Sequence, residues 1–297
     1  MLDLVIIGGG PAGLTAAIYA ARADLDFVLL EQDGCGGGQI TSAHMVQNYP
    51  GVPEISGFDL GELFRRQAEE LGAKIEFGTV TGLEQHPGYF TVLQEDGEPV
   101  QAKAVIAATG AVPRQLGIPG EVEHIGNGVS YCATCDGAFY HGKNVLVVGG
   151  GDTAVEDGIY LSPVCESVTV ILRRDQFRAS ARRVRYLMQL PNVTVRYHVR
   201  PLKIGDGMIT LQTELGTEDF PADGIFIAVG SSPVTDYLKA LPISFENGYV
   251  AADETCRTVI PGLFAAGDIR TKQLRQASTA AADGANAVYS ALEYLRS

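Results

Sequence analysis

Cys132 and Cys135 stand two residues apart in C-A-T-C-D-G, with Asp136 directly after them. A close cysteine pair can hold a metal, tie a loop, or open and close as dithiol and disulfide. A four-ligand zinc site needs a second Cys or His pair at similar spacing. The five histidines (His44, His86, His124, His141, His198) supply none, and Cys35, Cys165 and Cys256 stand alone, so no metal is expected. A staple across so short a loop restricts few unfolded conformations and contributes little stability. Redox exchange then needs a supply of electrons, and the rest of the chain must bring it.

Elements suited to that task flank the pair. Residues 4 to 22, LVIIGGGPAGLTAAIYAAR, open with a short apolar run, turn on glycines and continue in an alanine-rich helical pattern: strand, tight turn, helix. Gly8, Gly10 and Gly13 make the G-x-G-x-x-G spacing. One such glycine allows the turn, one lets backbone approach a pyrophosphate, and one lets helix pack on strand. The phosphates would rest on the helix N-terminus. The next apolar stretch, FVLLEQ, ends in Glu31, 23 positions after Gly8, where an acid binds ribose hydroxyls.

The same grammar returns in NVLVVGGGDTAVEDGIYL, residues 144 to 161, with Gly149, Gly151 and Ala154 in the fingerprint positions. The strand after it, SVTVILRR, ends in Arg173 and Arg174 with Arg178 close behind, so guanidinium groups take the place that Glu31 holds in the first motif. An acid there would repel a 2′-phosphate, whereas arginines pair with one, and the second site reads as NADPH rather than NADH. Two dinucleotide sites in one chain suggest a flavin nucleotide and a nicotinamide nucleotide coupled by hydride transfer.

Two further apolar runs stop where a ribose or ribityl chain could come close: QAKAVIAATG at Thr109 and Gly110, and PGLFAAGD at Gly267 and Asp268. The following RQASTAAADGANAVYSALEYL reads as a small-residue helix whose N-terminus carries Arg275 and Gln276, where negative charge on a reduced flavin would be stabilised. The chain reaches the second motif through residues 118 to 144 and turns back toward PGLFAAGD near residue 243. That order predicts an α/β protein with two Rossmann-like dinucleotide-binding domains, the NADPH domain inserted into the FAD domain. Residues 1–114 and 244–297 form the discontinuous FAD domain, and residues 115–243 form the NADPH domain carrying the cysteines.

The 297 residues are 46% hydrophobic and 19% charged, long enough for two domains with cores of their own. A formal net charge of −13 argues against nucleic acid, whose phosphates are bound by clustered Lys and Arg. The start, MLDLVIIGGG, lacks the basic leader and long apolar core of a signal peptide. No apolar run approaches the roughly 18 residues of a membrane span. A soluble cytoplasmic enzyme, with neither membrane nor nucleic acid as partner, is the expectation.

GGGPAG (8–13), GGQI (37–40), NYPG (48–51), ATG (108–110), CATCDG (132–137), GGGDTA (149–154), RRDQFRA (173–179), AAGD (265–268) and RQA (275–277) together resemble the low-molecular-weight thioredoxin reductases. The resemblance runs over essentially the whole chain in that family's order and spacing. It implies an NADPH-dependent, FAD-containing homodimer of the short form, without a second redox pair after Ser297. Such an enzyme reduces the disulfide of thioredoxin or a thioredoxin-like protein and rotates its domains between half-reactions, here about connections near residues 114 and 243.

By position, the resemblance implies pyrophosphate and adenosine contacts to FAD from Gly8, Gly10, Pro11, Ala12, Gly13 and Glu31. It implies flavin-side contacts from Gln39, Ile40, Asn48, Thr109, Gly110, Gly267, Asp268, Arg275, Gln276 and Ala277. Gly149, Gly151, Asp152, Thr153 and Ala154 correspond to the NADPH pyrophosphate loop, with Arg173, Arg174 and Arg178 on the 2′-phosphate. In the family the second cysteine of the pair lies against the flavin and the first attacks the protein substrate, which gives those roles to Cys135 and Cys132, with Asp136 as general acid. Asp136 can protonate a departing thiolate only if its own pKa is raised, as burial beside a thiolate would do.

Three positions depart from the family pattern. Leu172 stands where a His usually precedes the two arginines, Leu274 where an aromatic commonly precedes Arg-Gln, and Cys35 adds a thiol to the Gly-rich loop before Gln39. A related flavin-dependent dithiol oxidase, a ferredoxin-fed thioredoxin reductase and a non-catalytic flavin sensor are the competing readings. The arginine trio and the intact second fingerprint speak against the first two, and the intact C-A-T-C-D against the third.

Overall fold

In the computed structural model, which describes residues 1–33, 36–43 and 45–297, the apolar run of residues 4 to 7 becomes the middle of a sheet. Strand β1 (Leu2–Ile7) pairs in parallel with β2 (Phe27–Glu31) on one side and β6 (Val100–Ala107) on the other. A strand flanked this way and covered on both faces must be apolar throughout, and Leu4, Val5 and Ile6 have no exposed surface. β3 (Ile75–Phe77) extends the β2 edge in parallel, while β5 (Tyr89–Gln94) and β4 (Val80–His86) extend β6 as antiparallel strands. The C-terminal half of β6 also pairs with β19 (Leu263–Ala265), Ala107 opposite Ala265.

Helices α1 (Pro11–Arg22), α2 (Gly57–Glu70) and α6 (Ala277–Leu295) supply the core on one face of this sheet, where Leu14, Phe64 and Val288 are buried with Leu4 and Ile6. Pro11 starts α1, where its missing N–H is not needed. Ser56 caps α2 by accepting from Asp59 N at 3.0 Å. On the other face Val5 and Ile7 pack with Phe90, Leu263 and Tyr237, beneath the small hairpin of β17 (Phe245–Glu246) and β18 (Tyr249–Val250), whose Val250 joins the same cluster.

The backbone divides into two units, Met1–Val112 with Ser232–Ser297 and Pro113–Ser231. The second is built on a parallel sheet in the order β11 (Val193–Tyr197), β10 (Ser167–Leu172), β9 (Asn144–Val148), β15 (Gly224–Ile227), β8 (Val129–Ser130). The short helix α3 (Ala133–Asp136) follows β8, α4 (Asp152–Leu161) follows β9 and α5 (Ala181–Met188) follows β10. β12 (Arg200–Gly205), β13 (Met208–Thr213) and β14 (Gly216–Pro221) form a separate antiparallel sheet. At the two crossings β7 (Ala111–Pro113) pairs with β16 (Ser231–Pro233).

Residues 232–243, grouped from sequence with the inserted segment, pack with the first unit. Tyr237 and Leu238 are buried beside Val5 and Ile7, and Val234 N donates to Gly110 O at 3.0 Å. These apolar side chains draw the segment onto the first sheet, so the return crossing lies at Ser231 and Ser232 rather than near residue 243. Among the described residues, no helix is long and apolar enough to cross a membrane.

Candidate functional site

Cys132 and Cys135 are joined in a disulfide, with Cα atoms 5.2 Å apart. Cys132 is the N-cap of α3, and its sulfur accepts from Cys135 N at 3.2 Å. Both cysteines and Asp136 are half-buried. Ser130, at the end of β8 and only 4% exposed, ties them together. Its hydroxyl donates to Asp136 Oδ2 at 2.6 Å and accepts from Cys132 N at 3.0 Å. Sequence reasoning missed Ser130, although a hydroxyl two residues before the first cysteine was the signal. Beyond the pair, Tyr140 packs edge-on against Phe226 of β15, and burial pushes its phenol up. No cluster able to hold a metal occurs among the described residues.

The first glycine loop runs from β1 into α1. Gly8 has φ +103°, and a Cβ at Gly13 would overlap Gly8 O, so both positions need glycine. Pro11 and Ala12 open α1 immediately after the turn. Glu31, 7% exposed at the end of β2, accepts from Gly9 N, and from Asp33 N at 2.9 Å. Gly37 N donates to Gly9 O at 2.7 Å, stitching the second Gly-rich stretch to the first. Gln39 and Ile40 lie in the 3-10 turn Gly38–Ser42, where Gln39 Nε2 donates to Ala111 O. Asn48 Nδ2 donates to Gln276 Oε1 at 3.0 Å, which brings two flavin-side candidates together across the sequence.

Thr109 and Gly110 follow β6, and the Thr109 hydroxyl donates to Val234 O at 2.7 Å. Gly267 and Asp268 form the 3-10 turn that ends β19. Asp268 is the informative residue there: its Oδ1 is buried and has no hydrogen-bond partner. Burial raises its pKa, against the pull of Lys272 and Arg275. A buried, unsatisfied carboxyl oxygen costs about 1–3 kcal/mol and wants a donor such as a ligand hydroxyl. With the glycine turn between β1 and α1 in the same unit, it fits a dinucleotide carrying a polyhydroxyl chain.

Arg275 is held by backbone: Nη2 donates to Arg270 O at 3.3 Å, and the guanidinium lies 4.0 Å from the Tyr249 ring centroid. Gln276 caps α6 in a reciprocal arrangement with Thr279, whose hydroxyl accepts from Gln276 N at 3.1 Å, and Ala277 is the first helical residue. Sequence reasoning also missed Asp283. Buried in α6, its carboxylate accepts from Gly267 N at 2.9 Å, from Arg270 Nε and Nη2 at 2.8 Å each, and from Lys272 Nζ at 2.8 Å. Burial works against its charge, but Arg270 and Lys272 outweigh it and hold the carboxyl below the ordinary range. An acid set among the small residues of an alanine-rich helix, AAADGANA, with Arg270 and Lys272 a short way upstream, was the available signal.

The second glycine loop opens a cavity of about 600 Å³ wholly within the second unit. Gly149, Gly151 and Thr153 line it, as do Arg173, Arg174 and Arg178 from the segment after β10. Arg178 N donates to Gly150 O at 2.7 Å and Ser180 N to Asp152 Oδ1 at 3.1 Å, so that segment is sewn to the loop. Asp152 therefore turns to α5, and Ala154 is fully buried in the core beneath the loop. Arg114 and Arg200 also line the cavity; neither had a motif to mark it. Leu172 is buried, packs on Gly150 and forms part of the wall, while Leu274 is 51% exposed. Cys35 lies outside the described residues.

Residues 2–284 match the pyridine nucleotide-disulphide oxidoreductase family. The chain belongs to that family. A thioredoxin reductase from Listeria monocytogenes is 42% identical to it over 300 residues, spanning 99% of this chain and 93% of the relative. One from Bacillus subtilis is 40% identical over 304 residues, spanning 99% and 94%. The crystal structure of thioredoxin reductase from Streptococcus pyogenes matches with a TM-score of 0.94 at 42% identity, covering 100% of this chain and 98% of that one. The expected α/β class with two Rossmann-like dinucleotide-binding units is the fold found.

Proposed function

We propose that this oxidoreductase is an NADPH-dependent, FAD-containing thioredoxin-disulfide reductase. The observation that carries the reading is a bonded Cys132–Cys135 pair in the same unit as an arginine-lined dinucleotide cavity, on a chain whose other unit holds a second dinucleotide loop. Relatives that are thioredoxin reductases over nearly the full length support it. The reading extends to a homodimer acting in the cytoplasm on thioredoxin or a thioredoxin-like protein.

In this reading residues 1–112 and 232–297 hold FAD and residues 113–231 hold NADPH. Backbone of Gly8, Gly10, Pro11, Ala12 and Gly13 meets the pyrophosphate of FAD, Glu31 its adenosine ribose, and Asp268 Oδ1 a hydroxyl of its ribityl chain. Gln39, Ile40, Asn48, Thr109, Gly110, Gly267, Arg275, Gln276 and Ala277 surround the flavin. When bound, FAD supplies a two-electron relay from NADPH to the disulfide. Gly149, Gly151 and Thr153 meet the NADPH pyrophosphate, Asp152 and Ala154 support that loop from its sides, and Arg173, Arg174 and Arg178 clamp the 2′-phosphate. A dithiol oxidase has no use for this clamp.

Once the Cys132–Cys135 bond is reduced, the Cys132 thiolate attacks one sulfur of the partner's disulfide. The partner's S–S bond breaks and a mixed disulfide forms; Cys135 then attacks the Cys132 sulfur, restores the internal bond and releases the partner as a dithiol. Asp136, oriented by Ser130, holds the proton that the departing thiolate takes. The pair must meet its electron source and a bulky protein in turn, and the crossings at 112/113 and 231/232 are the hinges available for that motion. Steady-state reduction of a panel of thioredoxin-like proteins, with NADPH and NADH compared, tests the reading. Partner-dependent turnover with a strong NADPH preference is expected; no such turnover, or equal use of NADH, overturns it.

A further inference from the structure

A net charge of −13 is a poor beginning for a protein that must capture a polyanion. NADPH carries roughly two negative charges on its pyrophosphate and about two more on its 2′-phosphate, because a phosphate monoester holds about −1.5 to −2 at neutral pH. At long range such a molecule meets a repulsive field. The charge is not spread evenly, however. Residues 173–203 hold nine of the chain's 22 Lys and Arg and only one of its 35 acids, Asp175.

The fold gathers that excess at one place. Arg173, Arg174, Arg178 and Arg200 line the cavity of the second glycine loop. Arg182 and Arg183 line a shallow cleft with Ser180 and Tyr186 at the start of α5, outside that cavity. The bonds from Arg178 N to Gly150 O and from Ser180 N to Asp152 Oδ1 hold the segment that joins cavity to cleft. Arg182, Arg183 and Arg185 are all exposed on α5. Arg183 pairs with Glu156 of α4, but among the described residues Arg173, Arg174, Arg178, Arg182 and Arg185 form no ion pair. Five exposed guanidinium groups left uncompensated on an acidic protein do little for stability and much for the local field.

We infer that Arg182 and Arg185, which do not line the nucleotide cavity, form with Arg183 an electrostatic lip that steers NADPH toward the 2′-phosphate clamp and sets its association rate. The inference rests on the reading of the cavity as an NADPH site. It assigns to α5 a role in capture rather than in grip: the helix acts before the nucleotide is seated, so its charges move the on-rate and leave the off-rate alone.

The test is stopped-flow binding of a fluorescent etheno analogue of NADP⁺ that keeps every phosphate, to FAD-loaded protein. Binding is measured at about 0.01 M salt, where the Debye length is about 30 Å, and near 1 M, where it is about 3 Å. For R182Q/R185Q the low-salt association rate is expected to fall about tenfold, the lower end of what steering supplies. The dissociation rate should be unchanged, and the two proteins should converge at high salt. R182E/R185E should slow association further. Equal low-salt association rates for wild type and R182Q/R185Q overturn the inference, as does a loss carried by faster dissociation. If the wild type fails to distinguish the etheno analogues of NADP⁺ and NAD⁺, the phosphate role of Arg173, Arg174 and Arg178 fails, while the R182Q/R185Q comparison still decides steering.

Discussion

Removing Asp283 tests whether the Asp268 turn is held in place by charge. Asp283→Ala leaves Arg270 and Lys272, with side chains only 2% and 5% exposed, as buried cations without their shared counter-ion. Glu254 lies 3.2 Å from Arg270, but its side chain is 89% exposed, so water screens it. Breaking a buried pair costs about 3–5 kcal/mol, and the loss of an acceptor for Gly267 N–H adds about 1–3 kcal/mol. The two losses share one carboxylate and do not add in full, which puts the expected destabilisation at about 4–5 kcal/mol. With a urea slope of about 2 kcal/mol/M, the unfolding midpoint followed by circular dichroism should fall by about 2 M. Asp283→Asn, which keeps an oxygen for Gly267, should cost about half as much and still lower FAD retention. Replacing Arg270, Lys272 and Asp283 together by Met, Met and Leu should recover most of the loss, since apolar packing can replace a buried ion cluster. An Asp283→Ala protein within about 1 kcal/mol of wild type, with unchanged FAD retention, would refute the reasoning.

Three further outcomes follow from named groups. Asp268→Ala removes the unsatisfied buried oxygen, so the FAD-free protein should gain about 1 kcal/mol while FAD affinity drops at least about tenfold, read by thermal melts and flavin titration. Ser130→Ala should slow disulfide exchange by about tenfold or more and shift its pH profile, with NADPH and FAD binding unchanged; an unchanged pH profile removes Ser130 from the proton path. Burial, with Glu156 adding to it, pushes half-buried Asp157 up to about 7. The fold therefore favours its protonated form, and stability is lost as pH rises from the unfolded value through the folded one. Asp157→Asn should leave stability unchanged near pH 4 and raise it by about 1–2 kcal/mol at pH 8, the full shift being discounted for partial exposure. A gain that is the same at both pH values would place the effect elsewhere.

Both nucleotide loops were legible because their function is written in backbone. A loop that wraps a pyrophosphate needs glycine at fixed intervals, and the positive φ of Gly8 and the missing Cβ space at Gly13 show why. Glu31 and the arginines after Leu172 were legible because they end strands of fixed length, which carries them to the same edge as the loop. The residues that escaped reach their partners through tertiary contact. Asp283 meets Gly267 across a 16-residue separation, Arg200 enters the cavity from a strand outside the motif, and Ser130 acts through a hydroxyl whose direction no spacing records. The return crossing was placed late because two buried side chains, Tyr237 and Leu238, outweigh a connection that looks continuous with β15.

The central claim is that NADPH opens the Cys132–Cys135 bond and that the resulting thiols serve a protein disulfide. An anaerobic titration of FAD-loaded protein with NADPH, counting thiols in the native state, tests it directly. Two new thiols per chain should appear with NADPH, be absent in Cys135→Ser, and disappear again on addition of oxidised thioredoxin as an equal number of thioredoxin thiols forms. Flavin bleaching by NADPH with no new thiols, or thioredoxin reduction retained in Cys135→Ser, would contradict the account.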